Sequence, residues 1–191
     1  MAASSAVPGL FLMFAATVLL IFVCVSPPTW DAVYFLRAGA GAQEVRYGVF
    51  GYTGSGTSLG YNINPAGLND NRLAAGTVRR LTQILVLHPI AAGLSGLAFL
   101  FGLCGVGYHR TGTIFMTIVS ALATLVTLVV WVIDMVLFGI ARNRIRNNGI
   151  PAEFGNALWI TLGALVALLL GFCAAACGIF GNYRKRRANS Y

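Results

Sequence analysis

The sequence predicts a mainly α-helical membrane protein, a bundle of four transmembrane helices with a small extracellular antiparallel β-sheet. The 191 residues are 58% hydrophobic and only 9% charged, a balance typical of integral membrane proteins and not of soluble domains. Four apolar runs are each long enough, at about 20–25 residues, to cross a hydrocarbon core of ~30 Å. The remaining residues allow one small extramembrane domain.

The predicted organisation is a single four-span domain. We expect transmembrane helices over residues 8–27, 81–107, 113–141 and 156–181, an extracellular loop over 28–80, and a cytoplasmic tail over 182–191. Pro8 suits the first turn of a helix. A cleaved signal peptide is the alternative for the first run, but the basic segment that begins such peptides is missing. His88-Pro89 predicts a kink in the second helix.

The third apolar run carries a polar stripe, and the fourth carries a stripe of small residues. The polar side chains recur every three or four residues, which places them on one helix face: Thr117, Ser120, Thr124, Thr127, Trp131 and Asp134. A carboxyl group facing lipid is costly, so this face should point into the bundle. Gly163, Ala167, Gly171 and Ala175 recur every four residues on the fourth run. We expect this seam to be exposed to lipid and to allow close contact with other helices.

The long loop has the pattern of a small sheet. Residues 30–37 and 43–53 are rich in Val, Tyr and Phe, which favour strands, and the Ala/Gly segment 38–42 between them predicts a hairpin. Residues 54–58 predict a second turn, and residues 58–63 a third strand. Three strands over the helix ends would be stable where a lone hairpin would not.

Asp134 and His88 form the first candidate site. Each lies about six residues from the predicted outer end of its helix, so at ~1.5 Å per residue both residues lie at about the same depth in the membrane. We expect them to form a hydrogen bond, with Arg79 or Arg142 as alternative partners of Asp134. Two interpretations are open. The first is a structural pair that fixes the register of the two helices. The second is a proton-responsive site, because a His beside a carboxylate can titrate near physiological pH.

The other candidate sites lie toward the carboxyl end. The basic tail, Arg184, Lys185, Arg186 and Arg187, predicts cytoplasmic termini and contact with anionic lipid headgroups, although the outer segments carry eight basic residues against five on the proposed inside. Three cysteines near the inner boundary are either buried apolar residues or S-palmitoylation sites: Cys104, Cys173 and Cys177. The sequence shows no catalytic triad, carboxylate pair or metal-ligand set, so we expect no enzyme, no cofactor beyond a bound phospholipid or sterol, and no nucleic-acid partner.

Three segments resemble the fungal PalI family, which includes the Sur-type proteins of plasma-membrane eisosome domains and belongs to a claudin-like four-span group: PPTWDAVYFLRAG, VRYGVFGYTGSGTSLGYNI and LVLHPIAAGLSGLAF. The resemblance implies cytoplasmic termini and an exposed first loop. Its loop motif comprises Trp30, Gly48, Phe50, Gly51, Tyr52, Gly60 and Tyr61. Relatives carry a pair of loop cysteines where this chain has Thr53 and the Thr57/Ser58 region, so no loop disulfide is expected here.

The resemblance predicts a non-enzymatic organiser of the plasma membrane, of the eisosome or cell-wall-associated type, or an accessory subunit beside a larger integral membrane protein. Its partners would be lipids and that protein, or further copies of this chain. The alternative is a PalI-like component that assists an ambient-pH receptor. The tail of about ten residues is shorter than in relatives with that role. A channel or transporter is the third class considered.

Overall fold

The computed structural model describes residues 7–63, 76–107 and 110–188. Within these ranges the chain is mainly helical with three short strands. The helices are α1 (Val7–Cys24), α2 (Gly76–Ile84), α3 (Leu87–Gly107), α4 (Arg110–Asn147) and α5 (Ala157–Ala188). The strands are β1 (Leu36–Ala38), β2 (Val45–Tyr47) and β3 (Ala152–Phe154).

The four long helices form a closed ring. α1 packs against α3 and α5, and α4 packs against the same two helices from the other side. Three stretches are long and apolar enough to cross a membrane: Arg79–Gly105, Ile114–Asn147 and Ala157–Ala176. Pro8–Cys24 of α1 is apolar but shorter. The predicted class, a bundle of apolar helices with a small antiparallel sheet, is therefore confirmed.

Gly171 of the α5 seam lies inside the bundle, so the expectation of a lipid-exposed seam is wrong at this position, whereas Gly163 is exposed as expected. A Cβ atom added at Gly171 would lie 2.8 Å from Cε of Met13 and 3.4 Å from the carbonyl oxygen of Gly9 on α1. A Cβ at Gly9 would in turn lie 3.5 Å from Cβ of Ala174. These glycines let α1 and α5 approach closely, and they are covered by the chain itself.

The sheet has the strand order β2-β1-β3 and is antiparallel throughout. A hairpin of β1 and β2 forms within the predicted region, but its strands are much shorter than the predicted 30–37 and 43–53, and Ala38, predicted as turn, belongs to β1. The predicted third strand over residues 58–63 is wrong. The third strand is β3, which follows α4 and pairs Glu153 with Arg37 of β1. Since β2 and β3 occupy both edges of β1, residues 58–63 dock elsewhere, with the backbone N–H of Tyr61 donating to the hydroxyl of Thr82.

The sheet and its flanking segments, residues 30–63 and 150–156, form a lid on one end of the bundle, which we call the sheet end. A single hydrophobic cluster contains side chains from both parts, including Phe35 and Tyr47 of the lid with Leu85, Phe138 and Ile145 of the helices. A second cluster around Met13, Ala98 and Leu168 fills the other half of the bundle. The lid is therefore part of the folded core.

Candidate functional site

The structure brings His88 and Asp134 together beneath the lid. His88 Nε2 lies 3.1 Å from Asp134 Oδ2, and the two side chains are 0% and 1% exposed. The distance fits a hydrogen bond, but the angles are not those of a well-aligned one, and within the described residues Asp134 Oδ1 also lacks a hydrogen-bond partner.

Pro89 explains why the histidine points toward the carboxyl group. Proline has no N–H, and its ring clashes with the carbonyl of the residue four positions earlier, which here is Leu85. The helix breaks at that point: α2 ends at Ile84 and α3 begins at Leu87, so the break precedes the predicted position of the kink. The Leu85 carbonyl oxygen lies 3.1 Å from His88 Nδ1. This contact directs the opposite ring nitrogen, Nε2, at Asp134.

These two contacts determine where the protons of the His88 ring lie. A carbonyl oxygen only accepts hydrogen bonds, so Nδ1 carries the hydrogen that it donates to Leu85. In the neutral ring Nε2 is then an acceptor, and it faces a carboxylate oxygen that also accepts. One further proton must lie between Nε2 and Oδ2, on either the imidazole or the carboxyl group. The pair is neutral as a whole in both cases, which is the form that burial favours.

The lid covers the pair directly. The ring of Phe35, one residue before β1, lies edge-on to the His88 ring at 5.2 Å and stacks on Phe138 of α4 at 5.0 Å. Tyr61 belongs to the same environment, since burial chiefly raises the pKa of its hydroxyl, with smaller contributions from Tyr47 and from Asp134. Phe35 of the lid is therefore in direct contact with the pair.

The two alternative partners of Asp134 lie elsewhere. Arg79 is exposed on α2, and the Arg142 guanidinium lies 4.9 Å from the ring centre of Phe154 in β3. That cation–π contact joins the end of α4 nearest the lid to the sheet. Among the ion pairs formed by described residues, Asp134 takes part in the one with His88.

Ser120, Thr124 and Thr127 of the α4 stripe are buried, as predicted, and Thr117 is half-buried. The three buried hydroxyls bond to their own helix. Ser120 donates to the Thr117 carbonyl at 3.0 Å, Thr124 to Ser120 at 2.7 Å, and Thr127 to Ala123 at 2.7 Å. Such bonds let a polar residue sit inside a bundle at little cost. The hydroxyl groups of the stripe therefore have hydrogen-bond partners within α4, whereas the partner of Asp134 comes from another helix.

The glycine and tyrosine motif fastens the lid to the helices. A Cβ atom at Gly48 would collide with the carbonyl oxygen of Pro27, so only glycine allows this approach. Val49 N–H donates to Ser26 Oγ at 2.9 Å, and the Tyr61 hydroxyl donates to the Gly48 carbonyl oxygen. Thr82 accepts the Tyr61 N–H at 3.1 Å. Hydrogen bonds thus join the motif to the end of α1 and to α2.

The other motif residues complete the same attachment. Gly60 has a φ of +79° and lies against Gln83 of α2. Phe50 is half-buried against the core cluster under the sheet, and Gly51 is buried. The Tyr52 ring lies 6.2 Å from the Tyr61 ring. Tyr52 also lines an open groove of about 550 Å³, with Ser55, Gly56, Thr57, Ser58, Tyr61 and Asn62.

Trp30 lies where an interfacial anchor is expected, at the sheet end of α1. Its side chain is 45% exposed and its ring is 5.9 Å from that of Phe22. Thr53, which replaces one of the loop cysteines expected from the resemblance, donates to Asp31 Oδ1 at 3.0 Å.

Asn156 is a lid residue that the sequence did not single out. Its amide donates to the Ala32 carbonyl at 2.8 Å and accepts from Tyr34 N–H at 3.1 Å. It thereby fixes the segment before β1 to the start of α5. Leu85 was also missed, although its position four residues before Pro89 is a signal that could have identified it.

The cysteine and tail candidates lie toward the other end of the bundle. Cys104 on α3 and Cys173 on α5 are free and exposed. The Cys177 side chain and the tail side chains of Arg184, Lys185, Arg186 and Arg187 lie outside the described residues. Within the described part of the chain, no group of three His, Cys, Asp or Glu residues could hold a metal ion.

Comparison with known proteins gives one clear family. A model described as the SUR7/PalI family matches residues 5–171, which includes the lid, all three strands and the His88–Asp134 pair. No curated protein is similar enough to count as a match. Because the matched range covers most of the 191 residues, this chain is a multi-pass membrane protein that belongs to the SUR7/PalI family.

Proposed function

We propose that this chain is a non-enzymatic organiser of the plasma membrane or an accessory subunit, which packs laterally against a larger integral membrane protein or against further copies of itself. The SUR7/PalI family is not a known enzyme family. In this proposal the lid faces the outside of a fungal cell, in an eisosome or beside the cell wall, and both termini are cytoplasmic.

The observation that carries the proposal is how the bundle divides its polar and apolar groups. The buried hydroxyls of α4 are satisfied within their own helix, and the seam glycine Gly171 is covered by α1. The outward faces carry large apolar side chains, such as Phe11 at 68%, Ile118 at 61% and Leu170 at 54% exposed. These faces can contact lipids and the apolar surfaces of other membrane proteins.

Site-specific crosslinking tests this proposal. A photoreactive amino acid is placed at exposed Phe11, Ile118 or Leu170, and at buried Ala123 as the matched control. Lateral packing predicts protein adducts from one face of the bundle, recovered with an integral membrane protein or a second copy after mild detergent extraction. Lipid adducts alone from all three exposed positions, with a monomer in detergent, would reject it.

A second candidate function is favoured by the His88–Asp134 pair, a component that assists an ambient-pH receptor. Loss of the shared proton would leave two hydrogen-bond acceptors facing each other at 3.1 Å and a net negative charge under Phe35. The expected result is a weaker joint between lid and bundle as the pH rises. The lid would then report external pH to a partner.

Asp134→Asn separates the two candidates. The amide can donate a hydrogen bond to Nε2 without a titratable proton. A sensor predicts that the thermal stability of the wild type falls between about pH 5 and pH 8 while that of Asp134→Asn stays constant. Parallel curves for the two proteins would rule out the pair as a sensor and leave its structural role intact.

A further inference from the structure

The lid carries an open groove formed by residues that lie outside its three strands. The groove has a volume of about 550 Å³ and is lined by the segment 52–58 and by residues 61 and 62. A volume of this size is within the range of small-molecule sites. All the residues that line the groove are uncharged. The groove is therefore suited to a neutral ligand.

Three polar side chains in the groove have hydrogen-bonding capacity that the fold does not use. Thr57, Ser58 and Asn62 are exposed, and within the described residues none of their side chains forms a hydrogen bond. Ser55 differs, since its Oγ accepts from the Tyr52 N–H at 2.9 Å and donates to the Tyr52 carbonyl oxygen at 2.8 Å. Hydroxyl and amide groups both donate and accept. The three side chains therefore match a ligand whose own groups donate and accept, as the hydroxyls of a sugar do.

The ring of Tyr52 gives the groove an apolar surface. It is 37% exposed, and it lies 6.0 Å from the ring of Tyr47 and 6.2 Å from that of Tyr61. These two supporting rings are 1% and 6% exposed. Because buried tyrosines support the ring, Tyr52 can pack against a ligand with little loss of side-chain entropy.

The groove is formed before any ligand binds, because hydrogen bonds hold the segments on both sides of it. The Ser58 N–H donates to the Phe50 carbonyl oxygen at 2.8 Å. The Tyr61 N–H donates to the Thr82 hydroxyl of α2 at 3.1 Å. A site that is already formed binds its ligand without the cost of ordering its own loops.

We propose that this groove binds a neutral oligosaccharide of β-linked glucose or N-acetylglucosamine units. The ring substituents of these sugars are equatorial, so both ring faces present C–H groups that can pack on Tyr52 while the edges bond to Thr57, Ser58 and Asn62. An extended peptide would instead add to the free edge of a sheet, and a charged ligand finds no opposite charge among the lining residues. That such a sugar reaches the groove from outside the cell rests on the proposed function, whereas binding by the purified protein does not.

A saturation-transfer NMR titration of the full chain in lipid nanodiscs tests the proposal, with empty nanodiscs as the blank. The probes are a tetrasaccharide of β-1,3-linked glucose, chitotetraose, and the charged oligosaccharide tetragalacturonate. Binding of one or both neutral probes identifies the sugar, and the charged probe should not bind. Tyr52→Ala should weaken binding by at least about tenfold, whereas Tyr52→Phe, which keeps the ring, should change the Kd by less than about threefold. The matched control Leu59→Ala, at an exposed position of the same segment that does not line the groove, should leave the Kd unchanged.

A second variant leaves the packing of the three tyrosine rings untouched. Thr57→Val/Ser58→Ala removes two exposed hydroxyls and should weaken binding on the order of tenfold with an unchanged Tm. The proposal is overturned if neither neutral probe binds at millimolar concentration, if tetragalacturonate binds equally well, or if Tyr52→Ala binds like the wild type or no worse than Leu59→Ala. Binding that depends on Tyr52, together with lipid adducts alone in the crosslinking experiment, would sustain this proposal and reject lateral packing.

Discussion

Replacing both members of the His88–Asp134 pair by leucine should be less harmful than replacing either one. Both side chains are fully buried and 3.1 Å apart. In His88→Leu the carboxyl group is left without its partner, at a cost of about 3–5 kcal/mol if it stays ionised. In Asp134→Leu, Nε2 of His88 loses its partner, at about 1–3 kcal/mol. In the double variant two apolar groups of similar size meet under Phe35, which is often neutral or stabilising.

The assay is thermal unfolding of the detergent-purified protein, at one scan rate because membrane proteins often unfold irreversibly. For a chain of this size 1 kcal/mol corresponds to roughly 2–4 °C, so His88→Leu should lower the Tm by about 6–20 °C and Asp134→Leu by less. The double variant should melt above both single variants. A matched control pairs His88→Leu with Thr127→Val, whose hydroxyl bonds within α4, and their losses should add. If the His88 and Asp134 losses added in the same way, direct coupling would be refuted.

Three further predictions concern the lid. Gly48→Ala should destabilise it by about 1–3 kcal/mol because the new methyl group meets Pro27, whereas Gly56→Ala, which has open space, should leave the Tm unchanged; equal effects would refute the close approach. Burial raises the pKa of Tyr61 well above its ordinary value, so the contribution of Tyr61 to stability should be constant below about pH 10 and then fall by about 1.4 kcal/mol per pH unit. Thermal unfolding of Tyr61→Phe should show a shallower alkaline decline, and an identical decline would contradict this. Glu153→Gln should leave the Tm unchanged within error, because its pair with Arg37 is exposed; a clear loss would show that the ion pair holds β3.

The helices could be predicted from the sequence because their signals are local. Apolar runs and the spacing of the hydroxyls on α4 determine which residues can face lipid and which must be buried, and Asp134 is 0% exposed as that spacing requires. The hairpin could be predicted because the Ala/Gly segment lies between its two strands. His88 and Asp134 could be suggested as partners because they share a depth.

The rest depends on distant contacts that no local pattern reveals. β3 is three residues long. It forms a strand because it pairs with one edge of β1, whose residues lie more than 100 positions earlier in the chain. The orientation of His88 depends on the Leu85 carbonyl oxygen, which cannot accept a bond from Pro89 and instead accepts the His88 backbone N–H at 3.0 Å and contacts Nδ1 at 3.1 Å. The seam of α5 could be recognised as a packing surface, but periodicity does not tell whether α1 or another protein covers it.

15N NMR of the His88 imidazole in lipid nanodiscs is the most direct test of the proton that we expect His88 and Asp134 to share. The chain has two histidines, so His109→Gln leaves the His88 ring as the one imidazole signal. We expect a protonated Nδ1 at every pH at which the protein is folded, and an Nε2 signal typical of a hydrogen bond to a carboxyl group. A ring with an unprotonated Nδ1, or one that titrates near pH 6.5 like a solvated imidazole, would contradict the proposed pair.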